Sequence, residues 1–570
     1  MDSKIDDGQD HYFLWLSDLH YDPQYATPEA YKYPSASCTS NYASPIGDHG
    51  CDSPKELVRA AFEHAVNVTA ARTPSSPTFV VVSGDSIRHG IDMLFEPGDF
   101  HEGAEGRADN SSMADSAEEH AASAAYHSAA MGAVGEILRE LVSMLATAFP
   151  ESEIIMSIGN NDVVPDYYLQ LQDEDTPLGS SNLTSDSAGM LGVIYKALSN
   201  NGQTQQPNTN ETSKNAIITS DDEWTFLRGG YYSRNLHEGT LTVLSLNTVL
   251  YSGNFEPGPI NEADPGWQFE WMRKILSYCR EKGTQAVIVG HIPPAVGSYR
   301  HTQLWKDRYI RTYYEIVKEF DNVITAQMFG HLHSDEFRVG LQEKYIYTTN
   351  LTMLPFTNSP ILLGPSITPL HGNDPSFRIV KYGRRVGSNE FRFLDYDSYR
   401  FSMSTDSKWS KFYTFSETYS DASEVISKDG LTSETFRKIV ESMEDKRGQE
   451  SPVLKAYRSL MLSGAEGSGD DGRGTNAECD SSCRDAFICT ITSASRAGYD
   501  NCLLERNIAW KESGSNIIGL VSGLLLGAML IAFVVVRWKK KCKRDEYKST
   551  PSVTDGNIDP EIAARDQEMI

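Results

Sequence analysis

Basic side chains are in short supply in this 570-residue chain: 51 Lys and Arg stand against 78 Asp and Glu, a formal net charge of −27. A surface of that sign does not grip a nucleic-acid duplex through a general basic field. Cysteine is scarce as well, with eight residues in all and no spacing that suits a zinc knuckle. The opening "MDSKIDDGQDHY" is polar and acidic and contains no apolar export segment. Long apolar runs are missing too, with one exception near the end of the chain. What the chain does have is 39% apolar and 10% aromatic residues, enough for a large core with appendages.

The exception is "IIGLVSGLLLGAMLIAFVVV", Ile517 to Val536, twenty residues without a charge. That length crosses the hydrocarbon layer as a helix. "RWKKKCKR" follows at once, and such a basic cluster marks the cytoplasmic flank. The expectation is a single-pass protein. Residues 1–516 are then expected at the cell surface or in the lumen of a lysosome- or vacuole-like compartment, with the tail 537–570 cytoplasmic and an export signal expected upstream of Met1. Gly519, Gly523 and Gly527 form a small-residue ridge along the span, suited to pairing two copies into a homodimer. Exported chemistry agrees with this topology. Five N-x-[ST] sequons, at Asn67, Asn110, Asn182, Asn210 and Asn350, suit glycosylation. Cys479, Cys483, Cys489 and Cys502 cluster beside a cysteine-poor body, and Cys38 and Cys51 bracket a short loop; both sets read as disulfide staples. Cys279 reads as buried and free.

Short apolar, β-branched runs recur, each ending in a polar loop: "YFLWLSDLHYD", "TFVVVSGDSIRH", "EIIMSIGNND", "LTVLSLNT", "QAVIVGHIPP" and "VITAQMFGHLHSDEF". They predict buried strands. Helical segments alternate with them. Ser53-Pro54-Lys55-Glu56 predicts a capping box opening a helix to about Val66, and Asp264-Pro265 predicts the start of a helix that Gly283 ends. The alternation implies a layered α/β domain over 12–400. A helical, Cys-rich subdomain is expected over 401–506, then the membrane helix 517–536 and the tail. Pro97 to His120, Asn200 to Asp222 and Leu462 to Glu478 are expected to be loops, since their composition cannot build a core.

Ligand sites in open α/β sheets form at the carboxyl ends of strands. Five such ends here carry metal-type donors: Asp18 with His20, Asp85, Asn160, His291, and His331 with His333. A lone histidine at a strand end is usually a structural hydrogen-bonder; five ends together point to a metal centre. Mixed imidazole and carboxylate donors favour zinc, manganese or iron over calcium, with zinc the first choice. Two such ions about 3.5–4 Å apart generate hydroxide from water and clamp the oxygens of an in-line phosphoryl displacement.

The series D-x-H, GD, GNN[D], GH and GHxH resembles the calcineurin-like metallophosphoesterases. Through "CDSPKELVRAAF", "FLRGGYYS", "DPGWQFEWM" and the closing "ECDSSCRDAFICTITSASRAGYDNCL" it is similar, more narrowly, to the acid sphingomyelinase-like phosphodiesterases. "GDSIRHG" and "GNNDVVP" resemble the endopolyphosphatases of the same group. The resemblance implies a metallophosphoesterase β-sandwich flanked by helices. It assigns Asp18, His20 and His333 to one metal, Asn160, His291 and His331 to the other, and Asp85 to both. It also implies that His89 helps protonate the leaving group. Asp162 would orient its loop, and Arg88 would touch a phosphate.

Asn161 departs from the family pattern, because relatives with GNH[DE] carry their main proton donor there. An alkoxide leaving group needs a general acid, worth roughly 10²–10⁴ in rate, and a phosphate leaving from an anhydride needs far less. The expected substrate is therefore a phosphodiester or phosphoanhydride of nucleotide or polyphosphate type. The alternatives are sphingomyelin, brought within reach by the anchor, and a surface binding protein that keeps the fold without turnover.

Overall fold

Apolar runs of strand length with both faces buried form the centre of a layered sheet. A computed structural model describes residues 11–507 apart from 28–37, 39–43, 96–116, 173–182, 200–215, 260, 341–353, 385–389, 406, 421–425, 427–429, 445–449 and 465–478. The first sheet contains β1 (His11–Leu16), β2 (Phe79–Val82) and β3 (Glu153–Met156), which run parallel. The second contains β4 (Tyr232–Leu236), β5 (Leu241–Ser245), β6 (Gln285–Val289), β7 (Ile324–Phe329), β8 (Glu336–Arg338) and β9 (Ile361–Leu363). The chain then returns to the first sheet with β10 (Ser376–Arg384), β11 (Phe391–Phe401) and β12 (Trp409–Thr414). The strand orders are β12-β11-β10-β1-β2-β3 and β4-β5-β6-β7-β9-β8.

In the second sheet β5, β6, β7 and β9 are parallel, with β4 and β8 antiparallel at the edges. The two sheets share one buried core. They meet where β3 faces β4 and β5: the Tyr232 hydroxyl donates to the Met156 carbonyl at 3.0 Å, and the Ser157 and Ser245 hydroxyls lie 3.0 Å apart. Parallel strands from both sheets therefore end on one side of the core.

The helix predicted after Ser53 runs from Lys55 to Ala70, but the capping box does not form. The Ser53 backbone pairs with the β1 turn, its amide donating to the His20 carbonyl and its carbonyl accepting from the Asp22 amide, and Pro54 takes the cap position. The helix Gln268–Lys282 begins as expected of Asp264, whose carboxylate accepts from the amides of Phe269 and Glu270. Gly283, at φ 68°, ends it.

Three further differences concern the C-terminal half and the loops. β10 and β11, absent from the set of expected strands, widen the first sheet, and Trp409–Thr414 extends it within a stretch expected to be helical. Its ring residues Trp409, Phe412 and Tyr413 have the i, i+3, i+4 spacing of a helix face, but pairing with β11, with a register shift at Ser398 and Tyr399, makes it an edge strand. The last residues of the expected loop 97–120 already belong to the helix Ala117–Ala148.

Disulfides join Cys38 to Cys51, Cys479 to Cys483 and Cys489 to Cys502, while Cys279 is buried and free. Asn67 is exposed on the first helix. Asn110, Asn182, Asn210, Asn350 and the apolar run 517–536 lie outside the described residues. Among the described residues no helix is long and apolar enough to cross a membrane.

Candidate metal centre

Each of the seven donors sits on a turn just beyond a strand. Asp18 and His20 follow β1, Asp85 follows β2, Asn160 follows β3, His291 follows β6, and His331 and His333 follow β7. Five of them have positive φ: Asp18 (48°), His20 (40°), Asp85 (50°), His331 (71°) and His333 (53°). L-residues resist this region, and such strain persists where the surroundings over-determine it, which is typical of functional sites. The loops have been bent to aim their side chains inward.

The structure brings the seven together in two groups. Donor atoms of Asp18, His20 and His333 lie within 4.8 Å of one another, and so do those of Asp85, His291 and His331. Asp85 Oδ2 lies 3.1 Å from His291 Nε2 and 3.5 Å from His20 Nε2, so one carboxylate oxygen faces both groups. His333 Nε2 is 3.4 Å from Asp18 Oδ1 and 3.2 Å from His20 Nε2. Asn160 Oδ1 is 3.2 Å from His291 Nε2.

The protons show what the groups lack. His20 Nδ1 faces the Ile87 carbonyl at 3.1 Å and His291 Nδ1 faces the Ser83 carbonyl at 2.9 Å, which puts the ring protons on Nδ1 and the lone pairs on Nε2. Those lone pairs then point at carboxylate, amide and imidazole acceptors. Acceptors gathered in a buried pocket need a cation or borrowed protons. Burial, helped by Asp85, pushes the Asp18 carboxyl up to about 7. Burial opposes an imidazolium at His291, but Asp85 beside it prevails and holds it at about 9. Burial drives His20 and His331 down to about 3. The donor set fits two divalent cations that share Asp85.

No family model matches the chain. Sphingomyelinase phosphodiesterase D of Dictyostelium discoideum is 25% identical over 398 residues, 70% of this chain and 72% of that protein. The cyclic GMP-AMP phosphodiesterase SMPDL3A of Rattus norvegicus is 23% identical over 509 residues, 86% of this chain and 91% of that protein. Human acid sphingomyelinase-like phosphodiesterase 3b is 22% identical over 510 residues, 86% and 90% of the two chains. The chain is a homologue of the acid sphingomyelinase-like phosphodiesterases. Among solved structures, a dimetal phosphatase from Danio rerio covers 68% of this chain and 95% of its own, at 11% identity and a TM-score of 0.29. With phosphodiesterases as relatives and a complete donor set, the chain is a metal-dependent phosphoric ester hydrolase.

Around the donors, the three residues expected to assist them divide sharply. His89 lies at the edge of the pocket, 23% exposed, with its ring stacked on His20 at a centroid distance of 4.0 Å. Asp162 braces the loop at which it was expected to act. Its Oδ1 accepts from the amides of Ser86 (2.8 Å) and Ile87 (3.1 Å), and its Oδ2 accepts from Gly159 (2.8 Å), so it ties the β2 and β3 turns together.

Arg88 requires a correction. Its side chain is fully buried, with Nη1 3.3 Å from both Asp22 oxygens and Nε donating to the His89 carbonyl. A guanidinium sealed in that way braces the loop and does not reach a phosphate.

Three residues escaped the sequence reading. Asp52, within "CDSPKE", holds His89; Asp166, at the end of "SIGNNDVVPD", holds Asn161; and the exposed His371 lies 4.6 Å from His333, ring to ring. The Cys38–Cys51 bond next to Asp52 was the available signal for the first.

Proposed function

We propose that this chain hydrolyses phosphodiester or phosphoanhydride bonds of nucleotide or polyphosphate type, using two divalent cations, with zinc the first choice. The observation that carries the reading is the convergence of seven buried or nearly buried donors on two groups that share Asp85. Asp18, His20 and His333 would hold one cation, Asn160, His291 and His331 the other, and Asp85 both. When bound, such a pair polarises the phosphoryl oxygens and activates water.

The remaining work falls to the chain. His89 turns Nδ1 to Asp52, 3.0 Å away, which leaves Nε2 to present a proton to a leaving oxygen. Burial disfavours that proton, but Asp52 outweighs it and holds His89 at about 9. Asn161 has no proton to give, which favours leaving groups that depart with one acid's help or none.

The relatives' names support a second reading, sphingomyelin as substrate, and the apolar run 517–536 favours it by bringing the active site to a lipid surface. Anchorage by that run, with the metal centre outside the cytosol, is part of the proposal; the three disulfides support it.

The test is metal analysis of the purified chain, then turnover of polyphosphate, ATP, cyclic GMP-AMP, bis(p-nitrophenyl) phosphate and sphingomyelin, before and after chelation. Metal-dependent cleavage of the nucleotide or polyphosphate substrates is expected. Cleavage of sphingomyelin alone would give the second reading, and two bound ions without any turnover would leave only a binding protein.

A further inference from the structure

Asn161 does more than mark a missing acid. Its Nδ2 donates to Asp166 Oδ2 at 2.7 Å, and its Oδ1 accepts from Asn160 Nδ2 at 2.9 Å. Asn160 Oδ1 in turn faces the group of Asp85 and His291, 3.2 Å from His291 Nε2. Three polar side chains thus form a line from the loop into the metal centre.

The line has a direction. Asp166 Oδ2 accepts from the Asn161 NH₂, so the Asn161 oxygen faces Asn160. Asn160 must answer with its own NH₂, which leaves its oxygen aimed at the cation position. The orientation matters because an amide binds a cation through oxygen alone; flipped, it would present N–H protons to the ion. A residue at 161 needs a donor and an acceptor on one short arm to pass this orientation on, and asparagine has both. The backbone holds the chain of contacts in place independently. Asn161 N donates to Asp85 Oδ1 at 2.9 Å, Tyr167 N closes the loop on the Asn160 carbonyl at 3.0 Å, and Asp162 clamps the turn from below.

We propose that Asp166 is a positioning residue that sets the orientation of the metal-facing Asn160 through Asn161. This rests on the two-cation reading above. Asn161 occupies its place as the middle link.

The experiment titrates the metal-stripped full chain with Co²⁺, followed by calorimetry and by the visible absorption of the bound ion. Wild type is expected to take up two Co²⁺. Asp166→Ala should weaken one of the two sites by about 10–100-fold, the usual cost of losing a partner that orients a ligand, and leave the other unchanged. Asp166→Asn puts an amide that can donate as well as accept at the end of the line, and should weaken the same site by less than Asp166→Ala does. Thermal melting of the stripped proteins checks folding. If Asp166→Ala does not fold, Asn161→Ala cuts the same line one link further in and carries the same expectation.

Two sites of wild-type strength in a folded Asp166→Ala overturn the inference and leave the function reading intact. A wild-type chain that binds no Co²⁺ fails the function reading itself. If Asp166→Ala binds both ions normally while Asp166→Asn loses turnover, Asp166 handles a proton and is not a positioning residue.

Discussion

Asp52 grips His89 at two points: its Oδ2 accepts from the His89 backbone amide at 2.8 Å, and its Oδ1 lies 3.0 Å from the ring Nδ1. The carboxylate thereby sets both the direction and the proton affinity of the imidazole. Burial would depress His89, yet Asp52 keeps it charged up to about pH 9. A donor must be protonated, so turnover of substrates that need an acid falls as pH rises through that value. Asp52→Asn removes the raising charge, and the alkaline limb of kcat/KM against pH should move to lower pH. An unmoved limb would mean that another group titrates.

His89→Ala removes the donor outright. Alkyl phosphodiesters should lose roughly 10²–10⁴ in kcat, the usual worth of a general acid, and phosphoanhydrides distinctly less. Parallel assays on the two substrate types check this, and equal losses would take away the leaving-group explanation.

Gly159 allows the β3 turn to touch the shared carboxylate. A Cβ at 159 would lie 2.1 Å from Asp85 Oδ1 and 2.2 Å from the Asp85 amide nitrogen, both well inside contact distance. Gly159→Ala must therefore displace Asp85, and bound metal should fall below two ions per chain by elemental analysis. Because Asp85 faces both groups, neither site is expected to survive at full strength.

Arg378 on β10 and Asp335, two residues after His333, form a buried ion pair, and Tyr413 on β12 donates to the same carboxylate at 2.7 Å. The guanidinium also lies over the rings of Trp15 and Tyr396, at 5.0 and 4.4 Å. Removing one partner strands a buried charge, so Arg378→Ala should cost about 3–5 kcal/mol in denaturant unfolding. Replacing both partners with apolar residues should cost less, and a double-mutant cycle separates the two effects.

The candidate metal donors were legible as a set because each directly follows an apolar run, and short runs of that kind have little choice but to be buried strands. The role of Asp162 could be read from its place beside Asn160. Arg88 misled because a sequence shows that a cation is near a site and not which way it points; Asp22 turned it inward. Asp52 was hidden for another reason. It acts on His89 from 37 positions away, and the gap closes because the β1 turn pairs its backbone with Ser53 on one side and with Ser86 and Ile87 on the other. Ser53 looked like a cap until the β1 turn claimed its backbone.

The sequence alone determined which side chains would stand at the strand ends and which chemical types they are, since burying apolar runs forces polar residues into the connecting turns. Only the tertiary structure decided which donors gather in one group, where Asp85 sits between the groups, and which way the amides of Asn160 and Asn161 face. Those properties depend on distances between residues far apart in the chain, and the distances exist only once two sheets have packed with their carboxyl ends on the same side.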